Sequence, residues 1–367
     1  MKYYIIAGEA SGDLHGSNLI KAIFQKDAQA KIRCWGGNLM EEAGATLVKH
    51  YQKLAFMGFW EVLLNLRTIL KNLDFCKKDI LQFQPDRVVY IDYPGFNLRI
   101  ARWAYQMGFE NHYYISPQVW AWKENRVAQM KKHLTALYVI LPFEKAYFEQ
   151  QHHYKTHFVG HPLQDVLKTL QRDDAFLERH ELPKDKPIIA LLPGSRKQEI
   201  QKMLPLFLKV LPYFPHHQFI IAGAPGLKKG VYEPFLTTKK IKIVFNETYL
   251  VLQKAQAAIV TSGTATLETA LLGVPQMVCY KTSFLNYFIG KQFVRLKYIS
   301  LVNLILNKRA VIELIQQQCT VNTIRETLEE ILSAKGQQKI KQDYQQLETL
   351  VGPSGASEKV AALLLES

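Results

Sequence analysis

The sequence predicts an α/β protein of two doubly wound parallel sheets, with helices on both faces and a ligand cleft where the two domains face each other. Three observations carry this reading. Apolar runs of strand length alternate with helix-like stretches over residues 1–160, and the alternation restarts at residue 188 after a polar, charged stretch at 171–186. That pattern belongs to parallel sheets covered on both sides. With 367 residues the chain exceeds one typical α/β domain. Polar and glycine-bearing clusters follow the apolar runs, at the strand ends where open α/β sheets bind ligands.

Taken in order, strands are expected at 3–7, 32–35, 87–91, 113–115, 136–140 and 158–159, with helices at 14–25, near 39–44 and through 59–76. Gly160-His161-Pro162 reads as a hinge. The second set of strands is expected at 188–192, 218–222, 241–245, 257–261 and 276–280. Helices follow at 323–332, 337–351 and, beyond Gly352-Pro353, 356–365. The domains are therefore set at 1–163 and 164–345, with a helical segment at 346–367 that crosses back to the first domain or exchanges between two chains.

Composition narrows the function classes. Hydrophobic residues make up 48% and charged ones 21%, an ordinary globular balance. The net charge of +14 favours anionic partners, whether nucleic acid, anionic lipid or phosphorylated substrates. Lysines and arginines are dispersed and no RNA-binding fingerprint is present, which argues against specific nucleic-acid recognition. Cys34, Cys76, Cys279 and Cys319 lack C-x-x-C spacing, so reduced, buried thiols are expected rather than zinc or disulfides. No apolar run has the length of a signal or membrane span, and a cytosolic chain is expected.

The candidate sites lie in five clusters. GEASGD at 8–13 follows the first strand and carries Glu9, Ser11, Gly12 and Asp13; it fits neither G-x-G-x-x-G nor the P-loop pattern. IDYPGFN at 91–97 puts Asp92 at a strand terminus, as a general base towards a substrate hydroxyl or as a turn cap, with Asn97 nearby. ISPQVWAW at 115–122 follows the next strand. LLPGSR at 191–196 places Arg196 where a guanidinium could grip a pyrophosphate. TSGTATLE at 261–268 offers Ser262 and the backbone of Gly263, Thr264 and Ala265 to an anion at a helix start. Glu268 is placed there to accept from ribose hydroxyls or simply to offset the helix dipole. Glu9 and Asp13 compete with Asp92 as base, Asp13 also reading as a helix cap or first-turn acid. His15 reads as a surface residue.

The 59–76 helix has two readings. Trp60, Leu63, Leu64, Leu66 and Leu70 with Arg67 and Lys71 make an apolar arc with a basic flank, which suits either core packing or an anionic membrane interface. Residues 284–297 repeat the aromatic and basic combination.

Together AGEASGD, MGFWEV, IDYPGFN, SPQVWAWKENRV, LPFEKAYF, GHPL, LLPGSR, SGTATLE and VNLIL, in this order over nearly the whole chain, resemble the lipid-A-disaccharide synthase family. These are membrane-associated inverting glycosyltransferases of family 19 with two Rossmann-like domains of the GT-B type. The resemblance implies that UDP-2,3-diacylglucosamine is joined to 2,3-diacylglucosamine 1-phosphate (lipid X), giving a β-1,6-linked disaccharide and UDP. It makes Asp92 the favoured base, with Glu9 the alternative, and sets Arg196 on the UDP leaving group, the 263–265 backbone on phosphate and Glu268 on ribose. Asn303, in VNLIL, becomes a site residue, and Ser11, Gly12, Asn97 and Ser262 substrate contacts. No metal or other cofactor is implied, and no D-x-D flanks a strand end. The resemblance also implies an acceptor-binding, membrane-docking first domain, a UDP-sugar-binding second domain, and peripheral attachment to the cytoplasmic face of a Gram-negative inner membrane. A homodimer stays open. Gly95 stands where many relatives carry a second acid, so that acid is dispensable here. The rival readings are a GT-B UDP-N-acetylglucosamine epimerase and a non-catalytic lipid- or polyanion-binding protein.

Overall fold

The computed structural model describes residues 1–53, 66–236, 241–282 and 297–366. The chain divides into two compact units, Met1–Lys168 with Pro353–Ser367, and Thr169–Gly352.

The first unit contains a seven-stranded parallel sheet. Its strands are β1 (Lys2–Ala7), β2 (Lys31–Gly36), β3 (Thr46–His50), β4 (Arg87–Ile91), β5 (Glu110–Tyr114), β6 (Ala136–Val139) and β7 (His157–Phe158), in spatial order β3-β2-β1-β4-β5-β6-β7. All of β4 and all but the first residue of β1 are buried, as central parallel strands covered on both faces must be. The order reverses direction between β1 and β4. The segments leaving those two strands therefore border the crevice where such sheets bind ligands.

The second unit repeats this plan with six parallel strands, β8 (Ile188–Leu192), β9 (Gln218–Gly223), β10 (Lys242–Phe245), β11 (Ala255–Thr261), β12 (Gln276–Tyr280) and β13 (Ile312–Ile315), ordered β10-β9-β8-β11-β12-β13. Here the reversal falls between β8 and β11. LPGSR follows one of these strands and TSGTA the other.

β3 and β13 were not expected from the sequence. Each is an edge strand, half-buried along most of its length, so neither shows the continuous apolar run that marks the central strands. The first helix also differs, running Ala10–Lys26 and so starting four residues before the expected Leu14. Glu9 is its extended N-cap, and the Asp13 amide donates to the Glu9 carbonyl at 2.9 Å. The ASGD segment is thus the first helical turn. Asp13 caps a different helix: its buried carboxylate accepts from the amides of Gly37 (2.7 Å), Leu39 (3.3 Å) and Met40 (3.1 Å) at the start of helix Asn38–Glu42.

The last helix, Ala356–Glu366, belongs to the first unit and packs on helices Ala10–Lys26 and Leu163–Lys168. Asp165 caps it, accepting from the amides of Gly355 (2.5 Å), Ala356 (3.2 Å) and Ser357 (2.9 Å). A single carboxylate thus ties together backbone segments 190 positions apart in sequence.

Helix Leu66–Phe83 sends Leu73, Cys76 and Ile80 into the core. Leu73, one turn beyond Leu70 within the expected 59–76 helix, is therefore a packing residue. Leu70 and Phe75 remain 50% and 45% exposed, beside exposed Arg67, Lys71 and Lys78. Trp60, Leu63 and Leu64 lie outside the described residues, as does most of 284–297, and no side-chain placement is described for Leu66. Among the described residues no helix is long and apolar enough to cross a membrane. The four cysteines are buried and free.

Candidate active site

In the first unit the site is built on the ends of β1, β4 and β5. Asp92 and Tyr93 both adopt left-handed backbone, with φ of 45° and 50°, an uncommon state for side chains other than Asn and Asp. The turn is held from several sides. The Asp92 amide donates to Tyr114 O (3.2 Å), and its carbonyl accepts from Asn97 Nδ2 (2.7 Å) and the Tyr113 hydroxyl (2.5 Å). Pro94 then opens helix Pro94–Gln106. The Tyr93 ring covers Gly8, where a Cβ would come within 2.3 Å of it, so only glycine fits.

This scaffold leaves the Asp92 carboxylate half-buried with Glu9 as its charged neighbour. Burial, reinforced by the Glu9 charge and opposed by the Tyr93 amide, pushes the Asp92 carboxyl up to about 6. A carboxylate so placed is more basic than one in water and still ionised at neutral pH, which is what a general base requires.

The other expected residues of this unit take different positions. Ser11 is exposed on the first helical turn. Gly12, expected as a substrate contact, is buried against Ala7, where a Cβ would approach to 3.0 Å; it lets the helix start close to β1. Asn97 is fully buried, and its Nδ2 holds the backbone of the Asp92 turn. His15 is half-buried rather than a surface residue. Burial lowers its imidazole to about 4, with Asp165 opposing, and burial lowers neighbouring His161 to about 3. Both are neutral at pH 7.

In the second unit the site is built on the ends of adjacent β8 and β11. Gly194, at φ 118°, starts the turn after β8, and a Cβ there would lie 2.6 Å from the Glu199 side chain. Glu199 organises the loop, its Oε2 accepting from the amides of Ser195 (2.9 Å) and Arg196 (3.2 Å). Arg196 caps helix Lys197–Leu208 with its guanidinium 67% exposed and only a 3.4 Å contact to Glu199 Oε1. It is free to turn towards an anion. Glu199 had a sequence signal, an acid at the third helical position after the loop, where a capping-box side chain reaches back.

After β11, the amides of Gly263, Thr264 and Ala265 precede the first intrahelical donor, Thr266, which bonds Gly263 O at 3.2 Å. Gly263 and Thr264 are exposed. Ser262 Oγ donates to Ile299 O (2.9 Å). Glu268 accepts from the Tyr249 hydroxyl at 3.2 Å, and burial, opposed by that bond, raises its carboxyl above the ordinary value. Asn303, expected as a site residue, spends its whole amide internally. Nδ2 donates to Val311 O and Glu313 Oε1 (both 2.9 Å), and Oδ1 accepts from Ala310 N (2.8 Å) and Val311 N (2.9 Å). It braces the backbone leading into β13, with no hydrogen-bonding capacity left for a ligand.

Two doubly wound units of this topology define the GT-B class, shared by glycosyltransferases and epimerases. Similar solved structures include UDP-GlcNAc 2-epimerase from Neisseria meningitidis bound to UDP-GlcNAc, with a TM-score of 0.70, 13% identity and 100% of both chains covered. The glycotransferase of kitacinnamycin has a TM-score of 0.66 at 13% identity, covering 100% of this chain and 98% of that one. The family model for lipid-A-disaccharide synthetase matches residues 3–365. Lipid-A-disaccharide synthase of Coxiella burnetii is 37% identical over 333 residues, 90% of this chain and 88% of the relative. That of Syntrophus aciditrophicus is 37% identical over 369 residues, 98% and 96% respectively. The chain belongs to the lipid-A-disaccharide synthase family, glycosyltransferases that make the lipid A disaccharide. That membership favours glycosyl transfer over the epimerase and non-catalytic readings.

Proposed function

We propose that the chain transfers the diacylglucosaminyl group of UDP-2,3-diacylglucosamine to the 6-hydroxyl of 2,3-diacylglucosamine 1-phosphate, inverting the anomeric centre. The half-buried Asp92 carboxylate, raised to about 6 on a rigid turn, is the observation that carries this reading. Asp92 takes the hydroxyl proton as the oxygen attacks the anomeric carbon, and the bond to UDP breaks with its electron pair leaving on the diphosphate. Arg196 neutralises that charge, the 263–265 amides hold a phosphate and Glu268 accepts from the ribose. With those positive groups the reaction uses no metal or other cofactor. Burial, reinforced by the Glu9 charge, holds the Asp92 carboxyl above its ordinary value. The epimerases of similar fold bind UDP-sugars, which supports the donor class proposed here.

The test is UDP release from the diacylated donor in detergent micelles, with and without the acceptor. Release that requires the acceptor supports the transferase. Release without acceptor, or none across several acyl lengths, overturns it.

The diacylated substrates reside in a bilayer, and the exposed face carrying Leu70, Phe75, Arg67 and Lys71 fits an anionic membrane surface at the cytoplasmic side of the inner membrane. Leu70→Glu, at a half-exposed position that leaves packing intact, is expected to reduce co-flotation with anionic vesicles at least about threefold. Flotation equal to the native chain would remove the docking face.

A further inference from the structure

The SPQVWAWKENRV segment leaves the end of β5, next to β4 and Asp92, and nothing in the proposed mechanism uses its aromatic and basic residues. Trp122 is 48% exposed. Lys123 Nζ lies 4.2 Å from the centre of its ring and the Arg126 guanidinium 5.8 Å from it, within cation–π range. A tight turn enforces this. Lys123 has a left-handed φ of 59°, and the Arg126 amide donates to its carbonyl at 3.0 Å. An extended lysine backbone would not bring the two cations onto one ring.

Two like charges held together raise each other's energy unless an anion joins them. Among the described residues no carboxylate makes an ion pair with Lys123 or Arg126. Glu124, between them in sequence, lies 3.3 Å from His152 instead. The Lys123 ammonium is accordingly held below its usual range, by burial and by Arg126. Arg126 also acts electrostatically on Tyr113, the residue whose hydroxyl holds the Asp92 backbone carbonyl. Burial keeps the Tyr113 phenol well above its usual range, the Asp92 charge adds to this, and the Asn97 hydrogen bond and then the Arg126 charge oppose it. The Tyr113 hydroxyl in turn donates to Asp92 O.

We propose that Trp122, Lys123 and Arg126 form a subsite for a phosphate monoester, the 1-phosphate of the acceptor sugar, and so select the phosphorylated acceptor. The half-buried guanidinium supplies paired donors to the phosphate oxygens, and the more exposed ammonium adds a movable charge. This rests on the transferase reading above. An anionic membrane headgroup would offer related chemistry, and the experiment separates the two.

The measurement compares kcat/KM for 2,3-diacylglucosamine 1-phosphate with that for the dephosphorylated lipid, both in neutral detergent micelles, in the native chain, Lys123→Gln and Arg126→Gln. Because it is a ratio, the folded fraction of each variant cancels. The native preference for the phosphorylated acceptor is expected to fall about tenfold or more in Arg126→Gln and by roughly threefold in Lys123→Gln, as lost charge-assisted hydrogen bonds imply. Ratios within about twofold of native in both variants would overturn the subsite. Phosphatidylglycerol competing as well as the phosphorylated acceptor would also overturn it, marking a general headgroup surface. If the native chain turns over neither lipid, the transferase reading fails, and equilibrium binding of the phosphorylated lipid decides the subsite. Weaker binding in both variants supports it, and equal binding overturns it.

Discussion

Asp92→Asn is expected to reduce acceptor-dependent UDP release by two to four orders of magnitude, about the contribution of a positioned general base, while making the protein more stable at neutral pH. The substitution suits the site because asparagine tolerates the left-handed φ of 45° that an alanine would strain. In the native chain kcat/KM should rise about tenfold per pH unit up to about 6 and then level, since only the ionised carboxylate accepts the proton.

Stability should run the other way. The carboxyl is raised from its ordinary 3.8 to about 6, so the folded state holds the proton more tightly than the unfolded chain. Ionisation therefore opposes folding, by nothing below 3.8 and fully above about 6, to an extent of about 1–3 kcal/mol. Thermal melts of native and Asn variants should converge in acid and separate in favour of the variant at neutral pH. Turnover by a folded Asp92→Asn protein within tenfold of native would assign the proton transfer elsewhere, with Glu9 the next group to test.

Arg196→Ala is expected to lower kcat/KM for the UDP-sugar donor by about two to three orders of magnitude, as loss of a group stabilising a developing charge does. The fold should be unaffected, because the guanidinium is 67% exposed while Glu199 holds the loop through the Ser195 and Arg196 amides. Inhibition by the UDP product should weaken in parallel. A variant that UDP inhibits as strongly as the native chain would show that Arg196 does not meet the diphosphate.

The central strands were legible because a strand buried on both faces is a nearly continuous apolar run, as IIALL is and as VVYI is after the buried Arg87. The edge strands TLVKH and IELI were not, since much of their environment is solvent and neither shows a continuous apolar run. Asp92 and Arg196 were legible as residues at strand ends because each follows a continuous apolar run, and the structure sets those two strands at the reversals of order of their sheets. Asp13 and Asn303 show the limit of such reading. Asp13 sits in the polar cluster after β1 and Asn303 in the apolar helix segment Leu301–Leu306, yet both are consumed by groups from other segments, and no local spacing reveals that a carboxylate in one helix caps another. The amphipathic helix was ambiguous for a related reason. Leu70 and Leu73 look alike in a periodic stripe, and only the packing of helix Leu66–Phe83 on its sheet separates an exposed leucine from a core one.

Because Asp165 fastens the last helix to the first unit, the second unit is in effect a long insertion within the first. A ribosome completes the insertion before it delivers the helix that covers helix Ala10–Lys26. The half made first is thus the half finished last, and its open flank stays exposed to chaperones and proteases until the final residues emerge.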